Sequence, residues 1–318
     1  MSKLSDLLGA GAALPQGFMG LPSASLDDLQ ADIAVVGVPM ATPYQALGGY
    51  CAEGPAAIRA GAADSAHGLG HVDFDFSEPL LDGTGVVAVD LGDLATATDD
   101  FAANRALIEN TIRAIRAGGT IPVVIGGDDS VPIPVFAALA DTGPITIVQV
   151  DAHIDWRDEI DGERMGLSSN MRRASEMGAF SPMVQIGARS IGSARPQDLK
   201  AARDFGAHII DARRFHAEGL DAVLPLIPES QPVFINFDVD GLDPTTMPAV
   251  IGPAPGGLSY TQALELLHGV AGRAAIIGAN FLEFMPARDI NGLGALTAAR
   301  LVSNTIGLIA RQRFAARR

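Results

Sequence analysis

Short apolar runs alternate with longer amphipathic segments along most of the chain. The runs are rich in β-branched residues, which favour strands, and the longer segments have helical spacing. Strands are predicted at 33–38, 86–90, 121–125, 145–150, 183–186, 233–237 and 275–279. Helices are predicted at roughly 99–117, 131–140, 168–178, 196–206, 219–226, 260–271 and 293–312. This alternation predicts an α/β fold with a mostly parallel sheet covered on both faces.

No shift in composition divides the chain, so residues 26–318 are predicted to form a single domain. Residues 1–25 are rich in Gly, Ala and Pro and are predicted to be a flexible N-terminal segment. They have neither the basic start nor the uninterrupted apolar run of a secretory signal. The sequence therefore indicates one large domain behind a short tail.

Acidic side chains follow four of the predicted strands. Asp151 follows 145–150, Asp238 follows 233–237, and Glu283 follows the strand at 275–279. The segment 126–130, which reads GGDDS, follows 121–125. Because ligands bind outside the carboxyl ends of parallel strands, these four loops are expected to form one site.

The spacing of these acids indicates a metal centre. Asp151, His153 and Asp155 stand at i, i+2 and i+4, which places three side chains on one side of an extended backbone. Asp238 and Asp240 repeat the i, i+2 spacing. Several carboxylates at one sheet edge would repel and so raise each other's pKa, and divalent ions remove that repulsion. Carboxylates with an imidazole suit Mn²⁺, Zn²⁺ or Ni²⁺.

The composition argues against two classes of partner, nucleic acids and membranes. The formal net charge of −15 argues against nucleic acid as a partner. No apolar run approaches the roughly 18 residues that span a bilayer, so no membrane partner is predicted. Cys51 is the only cysteine, which excludes a disulfide within the chain and fits a cytoplasmic location.

The motifs resemble those of the ureohydrolases, the family of arginase, agmatinase and guanidinobutyrase. The resemblance runs in order from about residue 33 to 312. The matching segments are 54–59 (GPAAIR), 126–130 (GGDDS), 151–155 (DAHID), 237–244 (FDVDGLDP), 255–259 (PGGLS) and Glu283. The resemblance implies a three-layer α-β-α fold, commonly assembled as trimers or hexamers. It also implies hydrolysis of a guanidino group to urea and an amine, usually with two Mn²⁺ ions.

The resemblance also assigns roles to individual residues. It places Asp151 and Asp238 between the two metals, and it gives Glu283 the substrate guanidinium. The remaining ligands would be Asp155 and Asp129 on one ion, and His153 and Asp240 on the other. A hydroxide between the ions would attack the guanidinium carbon.

Two positions depart from the family pattern. Asp129 stands where most relatives have a histidine ligand, so the six ligands carry −5 rather than −4 if every aspartate is ionised. This harder ligand set favours Mn²⁺, with Ni²⁺ as the alternative. Leu167 and Ser168 stand where relatives have a His-Gly pair that moves protons. Ser168, Ser169 or water would then protonate the leaving amine, with His67 and His71 as distant alternatives.

Trp156 directly follows the last ligand of the second motif. It could stack on a guanidinium through a cation–π contact or simply pack beside the site. Four arginines could meet a substrate carboxylate: Arg172, Arg173, Arg189 and Arg195. We interpret most of them as surface or interface charges, so no acidic substrate is predicted from them.

The leading functional hypothesis is an amidinohydrolase acting on a guanidine-type cation: agmatine, guanidinobutyrate, guanidine itself or a biguanide. The missing proton carrier supports a second hypothesis, a weakly active or non-catalytic subunit that joins a related catalytic chain in a mixed oligomer. A binuclear hydrolase of another C–N bond is a third hypothesis, which Glu283 disfavours. The expected assembly is a homotrimer or homohexamer.

Overall fold

The computed structural model describes residues 17–317. Its strands are β1 (Ile33–Val38), β2 (Ala88–Asp93), β3 (Ile121–Gly126), β4 (Ile145–Val150), β5 (Phe180–Ile186), β6 (His208–Ile210), β7 (Val233–Asp238) and β8 (Ile276–Leu282). Its α-helices are α1 (Gly54–Ala62), α2 (Phe101–Ala117), α3 (Pro132–Leu139), α4 (Asn170–Glu176), α5 (Pro196–Phe205), α6 (Ala212–Glu218), α7 (Tyr260–Arg273) and α8 (Leu293–Ala316). The strands form one parallel sheet in the order β2-β1-β3-β8-β7-β4-β5-β6.

Both faces of the sheet are covered because successive strand residues point to opposite sides. In β1, Ile33 and Val35 pack into one core together with residues of α1, α7 and α8. Ala34 and Val36 pack into a second core with residues of α2, α3 and α4. The predicted three-layer α/β fold with a parallel sheet is confirmed.

Two short elements and one segment differ from the sequence prediction. The edge strand β6 and helix α6 were not predicted, and helix α1 was anticipated only through the family resemblance of segment 54–59. Three residues are too few to show a period. Residues 219–226, predicted as a helix, form two 3₁₀ turns instead. Gly219 has a φ of 59° and Pro225 lacks an N–H, so neither residue supports an α-helix there.

The expectation that no segment is apolar enough to span a membrane is wrong for helix α8. Among the described residues it is the one helix whose length and composition would allow it. However, 83% of the most apolar 18-residue stretch of this helix is buried inside the fold. Its apolar side chains therefore belong to the core, where Leu301, Val302 and Ile306 pack against the sheet.

The N-terminal boundary also differs from the prediction. Residues 1–16 of the segment predicted to be flexible lie outside the described part of the chain. In residues 17–25, however, Phe18, Met19 and Leu21 are buried, and the backbone N–H of Phe18 donates to Asp90 at 2.6 Å. The packed domain thus includes residue 17 onward, because three large apolar side chains in this Gly- and Pro-rich stretch join the core.

Candidate metal centre

The acidic loops lie on the four central strands of the sheet. Strands β3, β8, β7 and β4 are consecutive neighbours, and their carboxyl ends carry Asp129, Glu283, Asp238 and Asp151 respectively. The glycines before Asp129 have a steric role. A Cβ on Gly127 would lie 1.9 Å from the carbonyl oxygen of Pro39. The loop can therefore pass this neighbouring backbone only with glycine there.

Asp151, His153 and Asp240 form the first group of candidate ligands. One atom from each lies within 4.8 Å of the others. His153 Nδ1 is 3.1 Å from Asp240 Oδ2 and 3.3 Å from Asp151 Oδ1. Burial alone would lower the pKa of His153, but these two carboxylates raise it to about 12. The imidazole thus lies close to two carboxylates, where a positive charge is favoured.

Asp129, Asp151 and Asp238 form the second group, again with ligand atoms within 4.8 Å of one another. All three are nearly inaccessible to solvent. Burial, followed by repulsion between neighbouring carboxylates, raises the pKa of each well above its usual range. Asp129 Oδ1 is buried and has no hydrogen-bond partner among the described residues. An unpaired carboxylate oxygen facing two other carboxylates has the chemistry of an ion's ligand.

Asp155 joins the cluster through amide side chains. Gln149 Nε2 donates to Asp151 Oδ2 at 2.7 Å and to Asp155 Oδ2 at 2.8 Å. Gln185 donates in turn to Gln149, and Trp156 Nε1 donates to Gln185 at 2.7 Å. This amide chain behind the site was not predicted, because its glutamines lie inside strands that read as apolar. It orients the carboxylates of two candidate ligands.

Glu283 is held by a residue that the sequence analysis did not identify. The hydroxyl of Tyr50 donates to Glu283 Oε1 at 2.7 Å and to Oε2 at 2.8 Å, and the N–H of Asp129 donates to Oε1 at 2.8 Å. Burial raises the pKa of Glu283 to about 8, although these hydrogen bonds act to lower it. Its φ of 67° is unusual for a non-glycine residue. The carboxylate is thus fixed, although 233 residues separate it from Tyr50.

Members of both groups, with Asp155 and Glu283, line a cavity of about 160 Å³. Its other lining residues include Leu167 and Ser168, so the position that departs from the family pattern does face the site. Trp156 also borders this cavity, but the residue is 2% exposed and its ring packs against Phe205 with ring centres 5.5 Å apart. Its N–H is already committed to Gln185. Stacking of Trp156 on a substrate stays a prediction.

Other candidates lie outside the site. His71 lines a different cavity together with Tyr260, and neither His67 nor His71 borders the acidic one. The distant histidines are therefore not placed to replace a proton carrier. The four arginines considered above have partners: Arg172 with Glu176, Arg173 with Asp158, Arg195 with Asp198, and Arg189 with backbone carbonyls.

The fold and the acidic centre agree with the comparisons to known proteins. The family model described as "Arginase family" matches residues 31–307. This chain belongs to the arginase family, whose amidinohydrolases cleave C–N bonds of amidines. The predicted family and enzyme class are confirmed.

Individual relatives are similar over most of the chain. A guanidinopropionase of Pseudomonas aeruginosa is 35% identical over 228 residues, which cover 70% of this chain and 71% of the relative. The mitochondrial guanidino acid hydrolase of Homo sapiens is 31% identical over 281 residues, or 85% and 76% of the two chains.

Among solved structures, proclavaminate amidino hydrolase from Streptomyces clavuligerus superposes with a TM-score of 0.84 at 27% identity, covering 94% of this chain and 98% of that one. A hypothetical agmatinase from Burkholderia thailandensis gives a TM-score of 0.81 at 28% identity, covering 97% and 93%. Sequence and structure thus point to the same family.

Proposed function

We propose that this protein hydrolyses the C–N bond of a guanidino compound, releasing urea and an amine, with two divalent metal ions as cofactors. The observation that supports it most is that members of both ligand groups line one small cavity together with Glu283. Relatives named guanidinopropionase and guanidino acid hydrolase support the same bond type.

The residues present fit a pair of cations. One ion would be held by Asp129, Asp151, Asp155 and Asp238. The other would be held by His153 and Asp240 together with the shared Asp151 and Asp238. Two positive charges would remove the repulsion that raises the pKa values of these buried aspartates. They would also satisfy Asp129 Oδ1, which is otherwise without a partner in residues 17–317.

When bound, divalent ions supply Lewis acidity, which makes water available as a nucleophile at neutral pH. The chain's own residues would position the substrate. Glu283 presents an anion to the planar guanidinium, and its bonds from Tyr50 and the Asp129 N–H fix the angle of that contact. The oxygen of water bonds to the guanidinium carbon, the C–N bond to the tail breaks, and the amine leaves with a proton.

Ser168 is the proposed relay for that proton. Its loop borders the cavity, and its backbone N–H lies 3.4 Å from the hydroxyl of Tyr44. A serine hydroxyl is too weak an acid to donate alone, so Ser168 would relay a proton from water. We propose Mn²⁺ as the resident metal because five carboxylates and one imidazole form a hard ligand set, with Ni²⁺ as the alternative.

The test is urea release by the purified chain, loaded separately with Mn²⁺ and Ni²⁺, over a panel of guanidines. Glu283→Gln should keep both metals and lower kcat/KM by about 100-fold or more, because a charged contact to the substrate is lost. The exposed Glu159 on a neighbouring loop offers a matched control, Glu159→Gln, which should leave turnover unchanged. Absence of urea with every compound, with both metals bound, would refute the proposed reaction.

A second candidate function is a weakly active subunit of a mixed oligomer. The observation that favours it is Leu167, an apolar side chain that lines the cavity at the position of the family's proton carrier. If this is correct, urea release will appear only after a related catalytic chain is added. Activity of the isolated chain, with the same kcat at all enzyme concentrations, would exclude it.

We also propose a homotrimer or homohexamer in the cytoplasm, in line with the resemblance and the lone free thiol of Cys51. Light scattering of the purified chain distinguishes these assemblies from a monomer. Expression with a fluorescent tag in the source cells tests the location.

A further inference from the structure

One arginine borders the acidic cavity without an ion-pair partner. Arg157 is half-buried and lines the cavity next to Trp156. Its backbone N–H donates to the carbonyl of Ser168 at 3.0 Å, which fixes the two cavity-lining segments against each other. Within residues 17–317, its guanidinium has no hydrogen bond and no carboxylate within ion-pair distance. Arg157 is thus a lining residue of the cavity with a fixed backbone and no ion pair of its own.

The neighbouring charges do not neutralise Arg157. Asp198 also lines the cavity, but Arg195 already binds both of its oxygens at 2.8 Å. Asp158, the next residue along the chain, is paired with Arg173 at 2.6 Å and with Arg164 at 3.1 Å. Arg157 helps to lower the pKa of Asp198, after the stronger effect of Arg195, but it forms no ion pair with Asp198 or Asp158.

The lining of the cavity thus combines the carboxylate cluster and Glu283 with one arginine, Arg157. We propose that the substrate is a short ω-guanidino carboxylic acid whose tail carboxylate binds Arg157. This inference rests on the proposed function, because it takes the guanidinium to lie against Glu283. A guanidinium fork matches a carboxylate in geometry and charge, whereas an ammonium tail such as that of agmatine would face a like charge.

The experiment compares three guanidines of similar length that differ in tail charge: 4-guanidinobutyrate, butylguanidine and agmatine. The Mn²⁺-loaded wild type should favour 4-guanidinobutyrate in kcat/KM. Arg157→Gln should lower that value by about 10- to 100-fold, mainly through KM, because one charged contact is lost. It should change butylguanidine by less than about twofold, since a neutral tail makes no such contact. Arg157→Lys should fall between wild type and Arg157→Gln, because it keeps charge without the fork.

Arg164→Gln is the matched control. Arg164 is an exposed arginine outside the cavity, paired with Asp158 at 3.1 Å, and its loss should leave all three kcat/KM values unchanged. An equal loss on all three compounds in Arg157→Gln would assign Arg157 a structural role and overturn the inference. No loss on 4-guanidinobutyrate would overturn it as well.

Calorimetry separates this inference from the proposed reaction. If no compound yields urea, binding of the three ligands to Mn²⁺-loaded protein decides the matter. Binding of 4-guanidinobutyrate that is selective over butylguanidine and lost in Arg157→Gln would support the tail contact while the proposed hydrolysis fails. Equal binding of all three ligands by wild type and variant would overturn the tail contact.

Discussion

Replacing Asp129 by asparagine should change stability in opposite directions in the metal-free and metal-loaded protein. The substitution keeps size and shape but removes one negative charge from the centre. Asp129 Oδ1 has no partner in the described chain, and Asn170 donates to Oδ2. Ligand oxygens of Asp151 and Asp238 lie within 4.8 Å. In the metal-free state, the lost charge is therefore mainly a source of repulsion.

The expected change in the free energy of unfolding follows from the distances between these carboxylates. Two unit charges 4.8 Å apart repel by about 3 kcal/mol at an effective dielectric constant near 20. Removing Asp129 relieves two such pairs, but the buried carboxylates already take up protons to reduce the repulsion. We therefore expect Asp129→Asn to raise the metal-free free energy of unfolding by about 1–3 kcal/mol at pH 8.

The effect should depend on pH with a defined sign. The pKa of Asp129 is raised in the folded state by burial and by Asp155 and Asp151. The folded state then binds more protons than the unfolded one, so the unfolding free energy of the metal-free wild type falls as pH rises from about 4 towards the raised pKa. The slope is about 1.4 kcal/mol per pH unit for each extra proton bound. Asp129→Asn should make the unfolding free energy less dependent on pH.

The assay is chemical denaturation after chelator treatment and again after Mn²⁺ loading, with metal content by mass spectrometry. Loaded Asp129→Asn should be less stable than loaded wild type and bind one ion about 10-fold or more weakly, because an anionic ligand is gone. Asp128→Asn is the matched control. Asp128 is equally buried but is bonded by Ser130, so its loss should destabilise both forms by about 1 kcal/mol.

Two outcomes would refute this reasoning. If Asp129→Asn destabilises the metal-free protein as the Asp128 control does, Asp129 is not part of a repelling cluster. If its metal content and affinity equal those of wild type, Asp129 is not a ligand.

Two further predictions concern residues behind the site. Tyr50→Phe removes the donor to both oxygens of Glu283, so the pKa of Glu283 should rise further and KM for guanidines should increase about 10-fold. A pH–rate profile whose acidic limb shifts upward relative to wild type checks this, and an unshifted limb contradicts it. Gln149→Leu removes the donor shared by Asp151 and Asp155, and should weaken metal affinity by about 10- to 100-fold. Chelator competition measures this, and affinity equal to wild type would show that the amide does not position the ligands.

The sequence predicted the fold well where local periodicity was long. Strands β1 and β4 have the predicted bounds, because runs of six residues that are mostly β-branched or apolar are readable in isolation. Strand β6 was missed since a three-residue edge strand contributes little local pattern. Burial of Phe18 was missed for another reason: its partners in the core come from distant parts of the chain, which no local composition reveals.

In the candidate site, too, some features follow from the local sequence and others depend on contacts between distant parts of the chain. Asp151, His153 and Asp155 share one short segment, so their common direction follows from spacing alone. Tyr50 and Glu283 are 233 residues apart, and only the assembled sheet brings their oxygens to 2.7 Å. Gln149 could be found only by noting a polar side chain in a strand buried on both faces. Such a residue needs an internal partner, and that partner here is a pair of candidate ligands.

Asn170 connects the two departures from the family pattern. Its amide nitrogen donates to the carboxylate of Asp129 and lies 3.5 Å from the carbonyl of Leu167, while its own Oδ1 is buried without a partner in the described residues. An amide can turn about its terminal bond to exchange donor and acceptor. Facing Asp129 it donates to an anion; facing a histidine it could accept from the ring N–H that is not on the metal. Asp129→His should therefore keep both metals, and loss of one ion in that variant would show that the loop around Asn170 is built for a carboxylate alone.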